Sequence, residues 1–234
     1  LVGDFSLPFL AHFSLPVTPE RIREYVDIPI QIGREQARRL YGVPIRELAE
    51  SKGICVRVTD ASSKFAGLNY RGQLQYTAEK SEITIFKQSV YDLLQSINQM
   101  LLPADRFSYE KAIGMHIAHE FFHYIELSEI GPTHESVPSV DILKLFGRKR
   151  SAHIKRCDEI AAHAFSKEYI GLPFFPNMTD YLYLINSGKM KPDAFERLAQ
   201  SAAQQYMAAS MTKPVNNECS NNEYSTRGMR NRLP

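Results

Sequence analysis

The chain has 234 residues, of which 44% are hydrophobic and 23% are charged, and its formal net charge is +2. This composition is typical of a globular protein with one sizeable core, and it excludes a wholly disordered chain, a collagen-like chain and a disulfide scaffold. Four basic and two acidic residues in the segment 212–234 account for the whole charge excess. The remaining chain is formally neutral, which argues against direct nucleic-acid binding.

The composition also bears on location. No apolar run approaches the roughly 18 residues that a membrane span requires. The segment 1–16 is apolar but lacks a basic start and carries Asp4, so it is not typical of a secretory signal. The three cysteines, Cys55, Cys157 and Cys219, are widely spaced, which indicates reduced thiols rather than a disulfide framework. These features predict a cytoplasmic protein without membrane contact.

Four prolines in the first 32 residues predict that a long helix does not form there. We therefore expect an N-terminal arm at residues 1–32, one domain at residues 33–211 and a disordered tail at residues 212–234.

Hydrophobic periodicity predicts the elements of the domain in chain order. A helix with a break at residues 42–44 is expected over 33–51, a strand over 54–59, a hairpin over 67–76 and a strand over 82–86. Period 3.6 then predicts helices over 87–102, 108–127, 148–170, 178–187 and 192–210, with a loop-rich stretch at 128–147. The pattern indicates an α+β fold with a small antiparallel or mixed sheet.

The helix over 108–127 carries an HExxH motif, formed by His119, Glu120 and His123. Residues i and i+4 lie one turn apart on the same helix face, so two imidazoles at this spacing can bind one Zn²⁺. Glu120 can reach a water at the metal without being a ligand, which suits a general base. Large apolar neighbours predict a buried helix, where unpartnered polar side chains would be costly.

The third ligand must come from another part of the chain, and several candidates compete. The extended motif HExxHxxGxxH is not met, because Glu126 and Glu129 stand at its glycine and histidine positions. Glu129, His134, Glu135 and His163 therefore remain open, but Glu159 is the preferred candidate. Glu159 lies 36 residues after His123, which is enough for a loop and an antiparallel return.

The segments Ala118–His123 and Glu159–Ser166, followed by Pro173, resemble the AHExxH and ExxANxFA motifs of the ImmA/IrrE metallopeptidase family. The resemblance spans about residues 35–173 and implies a zincin-like fold. It also implies that His119, His123 and Glu159 are zinc ligands and that Glu120 is the general base. The chain departs from the family pattern at Phe122, where a small residue is usual, and at His163, where Asn is usual.

The leading functional hypothesis is a zinc-dependent endopeptidase. The resemblance implies limited cleavage of a regulatory protein such as a transcriptional repressor. The alternative is a metal-binding regulatory protein that binds a repressor or antitoxin without cleaving it. A DNA-binding helix-turn-helix over residues 34–50 is a weaker third hypothesis. Candidates for an oxyanion-stabilising donor are Tyr70, Tyr76, Tyr124, His116 and His163.

Overall fold

A computed structural model describes residues 19–61, 64–65, 68–77, 79–145 and 148–211 of the chain. The predicted tail at 212–234 and most of the predicted N-terminal arm lie outside the described residues. The described part is an α+β structure that is mostly helical, with one small mixed sheet and two short hairpins. Among these residues, no helix is both long enough and apolar enough to span a bilayer.

The described residues form seven α-helices and seven β-strands. The helices are α1 (Pro19–Leu40), α2 (Ile45–Ser51), α3 (Lys87–Met100), α4 (Tyr109–Ile125), α5 (Arg156–Ile170), α6 (Met178–Asn186) and α7 (Pro192–Met211). The strands are β1 (Ile54–Thr59), β2 (Lys64–Phe65), β3 (Leu68–Asn69), β4 (Gly72–Tyr76), β5 (Ser81–Phe86), β6 (Val140–Leu145) and β7 (Arg148–Ala152). A π-helical turn follows α4 at Glu126–Ile130. Short 3₁₀ turns lie at Pro103–Asp105 and Thr133–Glu135.

The prediction that prolines prevent a helix before residue 33 is wrong for the described part of that segment. Helix α1 begins at Pro19 and continues through Pro29 to Leu40. An interior proline costs a helix about 3 kcal/mol. The residues around Pro29 offset this cost by burial, because Tyr25, Val26 and Ile30 are at most 7% exposed.

The predicted helix over 148–170 is also too long at its start. Residues 148–152 form strand β7, which pairs antiparallel with β6, and helix α5 begins only at Arg156. Part of the stretch predicted as loop-rich, 128–147, is therefore a strand. The basic run Arg148–Arg150 has adequate helix propensity, but strand pairing depends on a partner that a local pattern does not reveal.

The sheet confirms the mixed alternative. Strand β5 lies in the centre, parallel to β1 and antiparallel to β4, so the order is β1-β5-β4. Ile83 and Ile85 of β5 are fully buried beneath the helices, whereas Gln73 and Gln75 of β4 are exposed. Strand β4 is an edge strand of this sheet, so among the described strands only one side of its backbone is paired.

Candidate metal centre

Helix α4 carries the HExxH motif on the only part of its surface that reaches the cleft. The Ser108 hydroxyl caps the helix by accepting a hydrogen bond from the Lys111 backbone N–H at 3.1 Å. Other faces of the helix are buried in the core through Met115, Ile117, Ala118, Phe121, Phe122 and Ile125. Burial of these side chains sets the rotation of the helix, and His119, Glu120 and His123 consequently line one cleft.

Helix α5 lies against α4 and supplies the third side chain. Its residues Ala161, Ala162 and Phe165 have no exposed surface, so this face of the helix is packed in the core. The buried Ser166 hydroxyl donates a hydrogen bond to the Met115 carbonyl of α4 at 2.8 Å. This bond and the core packing hold the two ligand-bearing helices in a defined relative position.

Helix α1 packs on the opposite side of α5 at very short range. A Cβ atom at Gly33 of α1 would lie 2.2 Å from the Ala161 carbonyl oxygen and 2.9 Å from the Ala164 Cβ. Only glycine permits this approach. The position of α5, and with it the position of Glu159, therefore depends on a glycine that is remote from the motif in sequence.

The structure brings His119, His123 and Glu159 together. Their ligand atoms all lie within 4.8 Å of one another, and the group could hold a metal ion. The two Nε2 atoms are 3.3 Å apart. Glu159 Oε2 lies 3.3 Å from His119 Nε2, and Glu159 Oε1 lies 3.5 Å from His123 Nε2.

These separations fit a zinc ion. Ligand atoms in a tetrahedral arrangement at bond lengths of roughly 2.0–2.1 Å lie about 3.3 Å from one another. Two imidazole nitrogens and one carboxylate oxygen are also a donor set that suits Zn²⁺ and leaves a fourth position open. The Glu159 side chain is 48% exposed, so this open side faces the solvent-filled cleft.

His123 is oriented by a buried carboxylate on the π-helical turn that follows its helix. Its Nδ1 lies 2.9 Å from Glu126 Oε2, and Glu126 is only 5% exposed. The second carboxylate oxygen, Oε1, accepts the backbone N–H of Thr133 at 2.9 Å. A proton held on Nδ1 by this carboxylate leaves the Nε2 lone pair of His123 available to a metal ion.

The three side chains stabilise positive charge between them. Burial disfavours the imidazolium of His123, but hydrogen bonds to Glu126 and Glu159 outweigh burial and raise the pKa of His123 to about 10. Burial likewise opposes ionisation of Glu159, yet hydrogen bonds from His119 and His123 hold the pKa of this carboxyl far below its ordinary range. The centre therefore attracts a cation, whether a proton or a metal ion.

Two further histidines lie beneath the centre. Burial lowers the pKa of His116 well below its ordinary value, as do the charges of Arg71 and His119. The pKa of His163 is also lowered, chiefly by burial and by His119, whose ring centroid lies 4.6 Å away. Both imidazoles are neutral at pH 7, so neither repels a cation held by the three ligands.

Glu120 faces the cleft from the side of the sheet. Its side chain rests against Gly72 at the start of edge strand β4, where an added Cβ would lie 3.0 Å from Glu120 Oε1. The cleft has a volume of about 700 Å³. Its lining combines the ligands and Glu120 with Gln73 and Leu74 of β4 and with Leu127.

The other candidates for the third ligand have different roles. Glu129 forms ion pairs with Arg39 at 2.7 Å and with Lys52 at 2.8 Å, away from the two imidazoles. His134 lines the cleft, but its Nδ1 lies 2.6 Å from Asp158 Oδ2. Glu135 is exposed. His163 lies behind His119 and is not part of the group of three.

Sequence reasoning missed Glu126 and Asp158 as partners of the site. Glu126 lies three residues after His123, a spacing at which helical side chains meet, so this signal was available. Asp158 offers no such local signal, because its partner His134 is 24 residues away. Of the five predicted oxyanion donors, Tyr70 lines the cleft, whereas Tyr76 and Tyr124 pack edge to face on each other.

Comparison of the chain with known proteins adds no relative. No protein-family model, curated protein or solved structure matches it. The resemblance to the ImmA/IrrE family therefore depends on the two motifs alone.

Proposed function

We propose that the protein is a zinc-dependent endopeptidase with a zincin-like fold, which makes limited cuts in a regulatory protein such as a transcriptional repressor. The observation that carries the proposal is the convergence of His119, His123 and Glu159, with Glu120 beside them at the same cleft. A base next to a three-ligand metal site with an open position is the arrangement that peptide hydrolysis needs.

The residues of the chain have distinct roles in this reaction. His119, His123 and Glu159 would hold the zinc, which when bound would supply Lewis acidity to activate water and polarise a peptide carbonyl. Glu120 accepts the proton of the attacking water and then transfers it to the amine nitrogen that leaves. Glu120 is suited to this part because it lines the cleft without belonging to the ligand group.

Strand β4 supports a peptide as the substrate. It is an edge strand of the sheet, and Gln73 and Leu74 line the cleft beside Glu120. An extended peptide can add to such an edge through main-chain hydrogen bonds, which places one of its carbonyl groups near the centre. A folded substrate must therefore offer a segment that can become extended, which favours few cleavage sites.

A cytoplasmic location and a repressor substrate complete the proposal. Neither Cys55 nor Cys157 forms a disulfide bond, as is expected of reduced thiols in the cytoplasm. The repressor is proposed from the family resemblance of the two motifs.

The experiment compares wild type with His119→Ala and Glu120→Gln. We expect one tightly bound zinc per wild-type chain by elemental analysis, loss of zinc from His119→Ala and retention in Glu120→Gln. Incubation with a random peptide mixture, followed by mass spectrometry of new termini, should show cleavage by the wild type only. A wild type without zinc contradicts the metal centre. Equal cleavage by Glu120→Gln contradicts the assigned base.

The same experiment addresses a non-cleaving regulator. Under that alternative the wild type binds zinc but produces no new termini, and Glu120→Gln leaves binding of a repressor or antitoxin unchanged.

A further inference from the structure

The turn at residues 131–135 lies in the connection between α4 and α5, ahead of the β6–β7 hairpin, and we call it the wall turn. It follows the π-helical extension of α4, and Gly131 with a φ of +79° redirects the chain there. Pro132 and His134 of the wall turn line the cleft. The position of the wall turn consequently depends on the hydrogen bonds that attach it to the end of α4 and to α5.

The anchor to α4 is Glu126. Its two carboxylate oxygens are divided between two partners: Oε2 contacts His123 Nδ1 at 2.9 Å, and Oε1 accepts the Thr133 backbone N–H at 2.9 Å. Thr133 is 1% exposed and Glu126 is 5% exposed, so water does not substitute easily for either bond.

The anchor to α5 is Asp158, the residue before ligand Glu159. Its Oδ1 accepts the His134 backbone N–H at 2.8 Å, and its Oδ2 lies 2.6 Å from His134 Nδ1. Two hydrogen bonds from one residue therefore attach the first turn of α5 to the wall turn. Together with Glu126, they form a continuous path from ligand His123 to the residue adjacent to ligand Glu159.

We propose that Glu126 and Asp158 are positioning residues of the zinc centre, which act through the wall turn to hold His123 and Glu159 in ligand geometry. This inference rests on the proposed function, because it presumes a metal at the three ligands. Outer carboxylates of this kind typically contribute about 10-fold to 100-fold in metal affinity.

The substitution Glu126→Gln tests the first anchor with little change in shape. A carboxylate can accept two hydrogen bonds on its two oxygens, whereas the amide of glutamine has one acceptor oxygen and one NH₂ donor. If the oxygen keeps the Thr133 N–H, the NH₂ group faces His123 Nδ1. His123 then places its own proton on Nε2, the atom that would bind zinc.

The measurement is zinc affinity of the folded proteins by competition with a chromophoric chelator. We expect affinity to fall about 10-fold to 100-fold in Glu126→Gln. The matched control is Glu129→Gln, on the same π-helical turn as Glu126. The Glu129 carboxylate pairs with Arg39 and Lys52 rather than with a ligand. That variant should bind zinc as the wild type does.

Nitrogen-15 NMR of the histidine rings shows which ring nitrogen of His123 carries the proton. A purely structural role of Glu126 would leave this position unchanged. The metal-free wild type, compared at a pH at which the His123 ring is neutral, should show this ring protonated at Nδ1. Metal-free Glu126→Gln should show a neutral His123 protonated at Nε2. If Glu126→Gln does not fold, Asp158→Ala provides the test, because it removes both bonds to His134 from a partly exposed position. Its zinc affinity should also fall.

The outcomes separate this inference from the proposed function. A wild type that binds no zinc overturns both. A wild type that binds zinc, with equal affinity in Glu126→Gln and Asp158→Ala and an unchanged His123 tautomer, overturns the positioning roles and leaves the proposed function intact.

Discussion

The Glu120 side chain of helix α4 lies directly against the backbone of Gly72, the first residue of edge strand β4. A Cβ atom at Gly72 would approach Glu120 Cγ and Oε1 to 3.0 Å. The general base of the proposed reaction thus lies next to the strand that would bind the substrate, in space that a side chain at Gly72 would enter. The absence of a side chain at Gly72 makes the room that the carboxylate occupies.

This contact predicts the effect of Gly72→Ala. The glutamate side chain is flexible, so we expect it to move away rather than the strand to unfold. The contact requires a shift of a few tenths of an ångström, and a displacement of about 1 Å at a reacting group can cost roughly 100-fold in rate. Peptide cleavage should therefore fall by roughly 2-fold to 10-fold, while zinc affinity stays at the wild-type value.

The control for this variant is Gly114→Ala, a glycine-to-alanine change within helix α4 itself. A Cβ there would meet its nearest neighbours at 3.5 Å and 3.7 Å, which is ordinary contact. Activity should be retained in this control. A Gly72→Ala variant with wild-type cleavage would show that Glu120 does not need its present position.

The Gly33–Ala161 contact predicts that Gly33→Ala destabilises the fold. The added Cβ would lie 2.2 Å from a backbone oxygen of α5, which cannot move alone. Overpacking of this kind costs about 1–3 kcal/mol in the free energy of unfolding. Urea unfolding followed by circular dichroism should show this loss, whereas Gly114→Ala should be neutral or stabilising by up to about 1 kcal/mol. Equal stability of the two variants would contradict the close helix approach.

The raised pKa of His123 predicts how zinc affinity depends on pH. The metal-free centre holds a proton on His123 up to a pKa of about 10, and zinc requires the neutral Nε2. Binding at lower pH must displace that proton. Zinc affinity should therefore increase about tenfold per pH unit between roughly pH 7 and 8.5, with about one proton released per zinc.

Calorimetric titration in two buffers of different ionisation enthalpy measures the released proton directly. Glu159 adds no proton in this range, because its pKa lies far below the ordinary value. An affinity that does not change with pH, with no proton release at pH 7.5, would mean that His123 is already neutral in the metal-free protein.

Much of the secondary structure followed from local pattern. The helices α3, α4, α6 and α7 and the strands β1 and β5 lie close to where periodicity predicted them. Three errors, at α1, at β7 and at the hairpin predicted over 67–76, have a common origin, because each segment depends on a partner that its own pattern does not reveal. Buried neighbours outweigh the cost of Pro29, and β7 pairs with β6. Strand β3 pairs with β2, and β4 pairs with β5, so β3 and β4 do not form the predicted hairpin with each other.

The residues of the candidate site also fall into those that the local pattern predicts and those that it does not. The sequence alone determined that His119 and His123 share a helix face with Glu120 beside them, because the spacing of residues within one helix depends only on its backbone geometry. It could not decide among Glu129, His134, Glu135, His163 and Glu159.

Only the tertiary structure decided that Glu159 meets the imidazoles, that Glu126 and Asp158 anchor the wall turn, and that Gly72 leaves room for the Glu120 side chain. The physical reason is that distances between elements are set by the packing of the whole core. The Gly33 contact that places α5 involves residues more than a hundred positions apart, and no local period in the sequence records it.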